Sequence, residues 1–128
     1  MEVTPIVPLL QVSGCLLGSV QSGLHDRRAG QLGRYLLSET ERLRPHAVIL
    51  DFSVIPLIDS FLARVLFDTA QACRLLGSYL IICGLPDAVI ISMVELGIVV
   101  PFGTATRDVD TALEVVHERY RKVGSANP

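Results

Sequence analysis

Tryptophan is absent from this sequence, and aromatic residues make up only 5% of it. Proteins that hold single-stranded nucleic acid stack its bases on aromatic rings set among basic residues. That pattern is missing: Arg27, Arg28 and Arg34 cluster only loosely, with Asp26 among them. No block of like charge occurs elsewhere, and the formal net charge is −2. Nucleic acid is therefore not an expected partner.

Cysteine is scarce as well. Cys15, Cys73 and Cys83 are odd in number and form no CxxC pair. That leaves neither a disulfide framework nor a zinc site. All three lie in apolar stretches and read as small buried hydrophobes in a reducing compartment. His25, His46 and His117 are scattered, with no partner at metal-ligand spacing. There is no GxGxxG and no P-loop. No serine or cysteine has a base placed beside it in a known nucleophile pattern. The expectation is a protein with no cofactor and no metal that is not an enzyme.

Long apolar runs are also lacking, although half the residues are hydrophobic and the mean hydropathy is +0.49. A membrane-spanning helix needs about 20 apolar residues in a row. The most apolar stretch, Tyr79 to Phe102, is broken by Gly84, Pro86, Asp87, Glu95, Gly97 and Pro101. The first residues carry Glu2 and two prolines rather than a basic region followed by an apolar one. No signal peptide and no membrane association are expected, and the location is read as cytoplasmic. The apolar surplus is assigned instead to contacts with other subunits, which makes the chain an expected oligomer.

What is present reads as one domain over residues 1–124, with 125–128 as a disordered tail. Pro5 to Val12 carries two prolines and reads as an edge strand. Ser13-Gly14 turns the chain into a second strand, Cys15 to Gln21. Asp26 to Arg44 has helical spacing, with Ala29, Leu32, Leu36, Thr40 and Leu43 on one stripe. Gly30 and Gly33 inside it are read as places where the helix approaches the sheet closely. Pro45 ends that helix. Ala47 to Phe52 is a buried strand. Phe61 to Leu76 is the clearest helix, with Leu62, Val65, Leu66, Thr69, Cys73 and Leu76 inward and Gly77 as its stop. A strand at Tyr79–Cys83, a short helix at Asp87–Leu96, a strand at Ile98–Val100 and a helix from Asp108 to Lys122 follow. The order β-β-α-β-α-β-α-β-α predicts an α/β fold: a mostly parallel mixed sheet, an antiparallel hairpin at its N-terminal edge, and about four helices.

The most informative segment is DFSVIPLIDSFLAR, Asp51 to Arg64. A buried strand leaves into a short loop, and Ile58-Asp59-Ser60 opens the strongest helix. Asp59 or Ser60 must lie near its N-cap. Capping alone is one reading. The other uses the same place: a helix N-terminus has unpaired N–H groups and a positive dipole end. A phosphate on Ser60 would add about −1.5 to −2 charges there. With Asp59 beside it, a nearly neutral surface would become strongly anionic, as suits a binding switch. Ile58, Phe61 and Leu62 are the apolar residues expected to form a docking face with this pair.

These residues resemble a known family. PIVPLLQVSGCLLGSVQ, VILDFSVIPLIDSFLARVL and GLPDAVIISMVELGI, in this order, are similar to STAS domains, the fold of anti-sigma-factor antagonists, and in particular to its stressosome-scaffold branch. The resemblance covers nearly the whole chain, and the Asp-Ser pair is the family's defining motif. It implies that Ser60 is phosphorylated by a serine kinase of the RsbT type and that Asp59 helps present it. It further implies assembly with RsbR-type co-scaffolds, which holds the kinase until phosphorylation releases it, and a PP2C-type phosphatase that resets Ser60. Phe61 and Leu62 stand where sporulation-type antagonists carry a small residue and a glycine, which favours the stressosome branch. Co-scaffolds tend to have a threonine where Cys83 precedes Gly84, so a second phosphosite is not expected. Two alternatives remain: a passive interaction module, in which Ser60 only caps, and a direct antagonist that binds an anti-sigma kinase.

Overall fold

A computed structural model describes residues 7–20, 26–54, 58–95, 97 and 105–126. β1 (Leu10–Val12) and β2 (Cys15–Ser19) form the N-terminal hairpin, in register Leu10 with Leu17 and Val12 with Cys15. The two-residue loop between them, Ser13-Gly14, has φ of 52° and 79°. Positive φ at both central residues is what a right-twisted hairpin requires. β3 (Ala47–Asp51), β4 (Tyr79–Cys83) and β5 (Ala105–Thr106) then add one after another in parallel, giving the five-stranded order β1-β2-β3-β4-β5.

That order decides where the helices lie. α1 (Asp26–Leu43), α2 (Ser60–Leu75) and α3 (Asp87–Glu95) each connect neighbouring parallel strands, and each step goes the same way across the sheet. Crossovers are right-handed, so successive steps in one direction stack their helices on one face. The core divides accordingly. Leu16, Val48, Leu50, Phe52, Leu80 and Ile82 face Leu32 and Leu36 of α1 and Leu62 and Leu66 of α2. The alternate positions, Cys15, Ala47, Ile49, Ile81 and Cys83, face Ala112 and Val116 of α4 (Val109–Ala126) on the other side. α3 packs on α2, with Val89 and Met93 against Ala63.

Several expectations change in detail. The stretch Ile98–Val100 lies outside the described residues, and the strand that pairs with β4 is Ala105–Thr106. The last helix continues to Ala126, two residues into the stretch read as tail. Gly33 does not approach the sheet. A Cβ there would sit 2.8 Å from Thr69 Oγ1 and 3.1 Å from Val65 Cγ1, so the close contact is with α2. Gly30 has only Arg34 Nη1 within reach, at 3.7 Å.

Local chemistry sets the boundaries of α2. At its end, Gly77 N–H donates to Arg74 O at 3.0 Å and Ser78 N–H to Cys73 O at 2.9 Å, with Gly77 at φ 85°. This pair of bonds around a left-handed glycine is the Schellman stop, which serves carbonyls the helix leaves unpaired. Just beyond, the Tyr79 ring is held between two guanidiniums, Arg74 of α2 at 4.6 Å and Arg119 of α4 at 4.8 Å. The clasp ties the two helical layers together around the start of β4.

Candidate functional site

The parallel strands all run toward one end of the sheet, and the connecting helices begin there. β3 delivers Asp51 and Phe52 to that end. Asp51 Oδ1 accepts from Ser53 N–H at 2.9 Å, a local turn that starts the loop toward α2. Asp59 then caps α2: its backbone is extended (φ −79°, ψ 170°), and Oδ1 accepts from Leu62 N–H at 2.7 Å. Of the two residues that sequence placed at the cap, Asp59 takes the role and Ser60 becomes the first helical residue.

This frees Ser60. It is exposed, and among the described residues its hydroxyl makes no hydrogen bond. In the first turn the Leu62 N–H is taken by Asp59 Oδ1 and the Ala63 N–H by Asp59 O. The N–H groups of Ser60 and Phe61 have no acceptor within the helix, as geometry requires of a first turn. A tetrahedral anion on Ser60 Oγ would meet these donors and the positive end of the helix dipole.

The apolar residues around the pair separate into two groups. Phe61 is 48% exposed, and Val54, which sequence reading did not single out, is 56% exposed. Ile58 is half-buried against the cores on either side of α2. Leu62 is 2% exposed and belongs to the main core. Its side chain is therefore not available to a docking partner: three residues past the cap, the helical period turns it inward. The face beside Ser60 is built from Asp59 and Phe61, with Ile58 at its margin, and Val54 is exposed in the loop that leaves β3.

At the end of β4, Cys83 is fully buried, and its thiol donates to Leu50 O at 3.6 Å. Burial first, and then the neighbouring Asp51 and Asp108 carboxylates, push this thiol up to about 12. It is a core group, inaccessible to modification in the folded state. Cys15 and Cys73 are likewise buried, and burial raises both thiols. Among the described residues no group of acidic, histidine and cysteine side chains is arranged to hold a metal ion, and no helix is long and apolar enough to cross a membrane.

Comparison with known proteins places this geometry in context. The family model for the STAS domain matches residues 7–123. The RsbT co-antagonist protein RsbRA of Bacillus subtilis is 24% identical over 126 residues, which cover 94% of this chain and 44% of that protein. The chain thus spans less than half the length of this curated relative. Among solved structures, a serine-to-glutamate variant of RsbS from Moorella thermoacetica superposes with a TM-score of 0.78 at 26% identity, covering 90% of this chain and 97% of the other. A chain of the stressosome, described as a signal integration and transduction hub, superposes with a TM-score of 0.77 at 24% identity, covering 89% and 99%.

Proposed function

The chain belongs to the STAS-domain family, and we propose that within it this protein is a cytoplasmic, phosphorylation-controlled scaffold of a stressosome-type complex, switched at Ser60. The observation that carries the proposal is the division of labour at the start of α2. Asp59 does the capping, so Ser60 is left exposed and, among the described residues, with no hydrogen bond to its hydroxyl, beside two N–H donors that the helix itself leaves unused. A serine needed only as a cap would have its oxygen on the N–H groups of the first turn.

In this reading the unmodified end of the domain, with Phe61 exposed next to Ser60, docks a serine kinase of the RsbT type. RsbR-type STAS proteins are its co-scaffolds. The RsbS and stressosome likenesses and the RsbRA relationship favour that assembly over a sporulation-type antagonist. Phosphate on Ser60 places about −1.5 to −2 charges beside the Asp59 carboxylate. The apolar contact then has to desolvate a dianion, and the kinase is released. A PP2C-type phosphatase restores the docking state. The protein itself performs no catalysis in this scheme.

The test is incubation of the purified chain with an RsbT-type kinase, ATP and magnesium, followed by intact mass measurement and peptide mapping. One phosphate on Ser60, absent from Ser60→Ala, is the expected result. Phosphate elsewhere, or none, would reduce the domain to a passive interaction module. Ser60→Asp separates the same two readings without a phosphorylation step. It should leave stability within about 0.5 kcal/mol, as is usual for surface changes, and still weaken kinase binding at least tenfold.

A further inference from the structure

On the face of the sheet opposite α1 and α2, the last side chains of four strands fall in one row. Ser19 pairs with Asp51, Asp51 with Cys83, and Cys83 with Thr106. In-register parallel neighbours point the same way, and the row continues the α4-facing set of Leu17, Ile49 and Ile81. Among the described residues α4 covers the Cys83 end of this row and leaves the Ser19 end open. There a cavity of about 420 Å³ lies between the β1–β2 hairpin and the start of α4. Leu10, Leu17 and Val109 form its walls, and Ser19 and Asp51 supply its polar groups. Leu10, opposite Leu17 in the hairpin, is 64% exposed, and among the described residues no helix packs on that edge strand.

The size falls within the range of small-molecule pockets, and so does the chemistry of apolar walls with few polar groups. The position does too, since ligands of open parallel sheets bind beyond the carboxyl ends of the strands. The charge is specific. Asp51 is half-buried and spends Oδ1 on the Ser53 N–H, and among the described residues Oδ2 makes no hydrogen bond. Asp108, at the cap of α4, accepts from Thr111 N–H at 2.8 Å and from Thr111 Oγ1 at 2.7 Å. Both carboxylates act on the buried Cys83 thiol, at the covered end of the row. Arg107 is the cation beside Asp108, and it is exposed.

We propose that this cavity binds a small organic cation, an ammonium group carried on a compact apolar body, with Asp51 as its counter-ion and Ser19 as a neighbouring polar contact. Leu10, Leu17 and Val109 take the apolar body. The inference stands apart from the role of Ser60, because the cavity is on the other face of the sheet and its test needs no kinase. The two places are nonetheless close along the chain. The carboxylate that would receive the ammonium also anchors Ser53, where the loop toward Ser60 begins.

The test is an amide-shift titration of the ¹⁵N-labelled full chain with 2-phenylethylammonium chloride, and with 2-phenylethanol as its neutral counterpart. Saturable shifts are expected at Leu10, Leu17, Gly18, Val109 and Ser53, with the ammonium at least tenfold tighter than the alcohol. Asp51→Asn retains an oxygen for Ser53 and should bring the two probes to equal affinity. Leu10→Lys, at an exposed position, should place an ammonium in the cavity and block the probe while leaving the rest of the amide spectrum in place. The proposal is overturned by non-saturating shifts, by shifts confined to other residues, or by an ammonium preference that survives Asp51→Asn.

Discussion

The same substitution at two glycines one helical turn apart should act with opposite sign. Gly30 and Gly33 both lie inside α1, where replacing glycine by alanine removes an entropic penalty of about 0.5–1 kcal/mol. At Gly30 the new methyl would find only the tip of Arg34 at 3.7 Å, an ordinary contact with a mobile side chain. Gly30→Ala should therefore stabilise the fold by nearly the whole propensity term. At Gly33 the methyl would meet Thr69 Oγ1 at 2.8 Å and Val65 Cγ1 at 3.1 Å. Thr69 is 4% exposed, so it has little room to yield. Both neighbours are β-branched and stiff at χ1. Helix α1 must then move off α2, and overpacking of this kind costs about 1–3 kcal/mol. The net effect of Gly33→Ala is a loss of about 1 kcal/mol, so the two variants should differ by about 2 kcal/mol. With a urea slope of roughly 1–3 kcal/mol/M, equilibrium unfolding should separate their midpoints by about 1 M. Equal stabilisation by both changes would refute the close approach of α1 to α2.

The cap on α2 gives a second contrast. Asp59→Asn keeps the acceptor for Leu62 N–H and should be nearly silent in denaturant unfolding, whereas Asp59→Ala should lose about 1 kcal/mol. Burial of the thiols gives a third. Native Cys83 should resist a water-soluble thiol reagent at pH 8 and react once the chain is unfolded in denaturant. Its folded-state pKa is about 12, against an ordinary 9.0, so the folded state holds the proton longer than the unfolded one. The stabilisation linked to this group is complete below pH 9.0 and is lost as pH rises toward about 12. Unfolding free energy measured across that window should fall less steeply in Cys83→Ala than in the parent chain.

The parts of the fold legible in sequence were those written by local rules. The hairpin turn, the α1 stripe, the Pro45 and Gly77 stops and the Asp59-Ser60 start of α2 each rest on a few adjacent residues. What escaped depended on distant ones. β5 consists of Ala105 and Thr106, recognisable only by their pairing with Ile82 and Cys83. The apolar run Ile98–Val100 is the stronger local signal for a strand. Gly33 looked like a contact with the sheet, because nothing near it in sequence points to Thr69. The Arg74–Tyr79–Arg119 clasp joins residues 45 positions apart at its extremes and leaves no periodic trace. At the candidate site, sequence reading identified Asp59 and Ser60 but grouped Leu62 with their surface, although Leu62 also lies on the inward stripe of the helix. Helical period outweighs adjacency there, and Phe61 alone of that adjacent pair stays exposed.

The sheet is built in the order in which the chain is made. Strands β1 to β5 lie side by side as numbered, so each new strand finds its neighbour already in place and none has to be threaded between two others. Domains generally fold as units, and within this one the hairpin, β3 and β4 pair in the order in which they occur along the chain. The other face follows a different timetable. Cys15, Ala47, Ile49, Ile81 and Cys83 are covered by α4, the last element of the chain. Until it docks, those strands present a bare apolar surface of the kind that draws partly folded chains together. The final helix therefore serves as a lid on a nearly finished domain, and its arrival ends the interval in which the nascent protein is most exposed to aggregation.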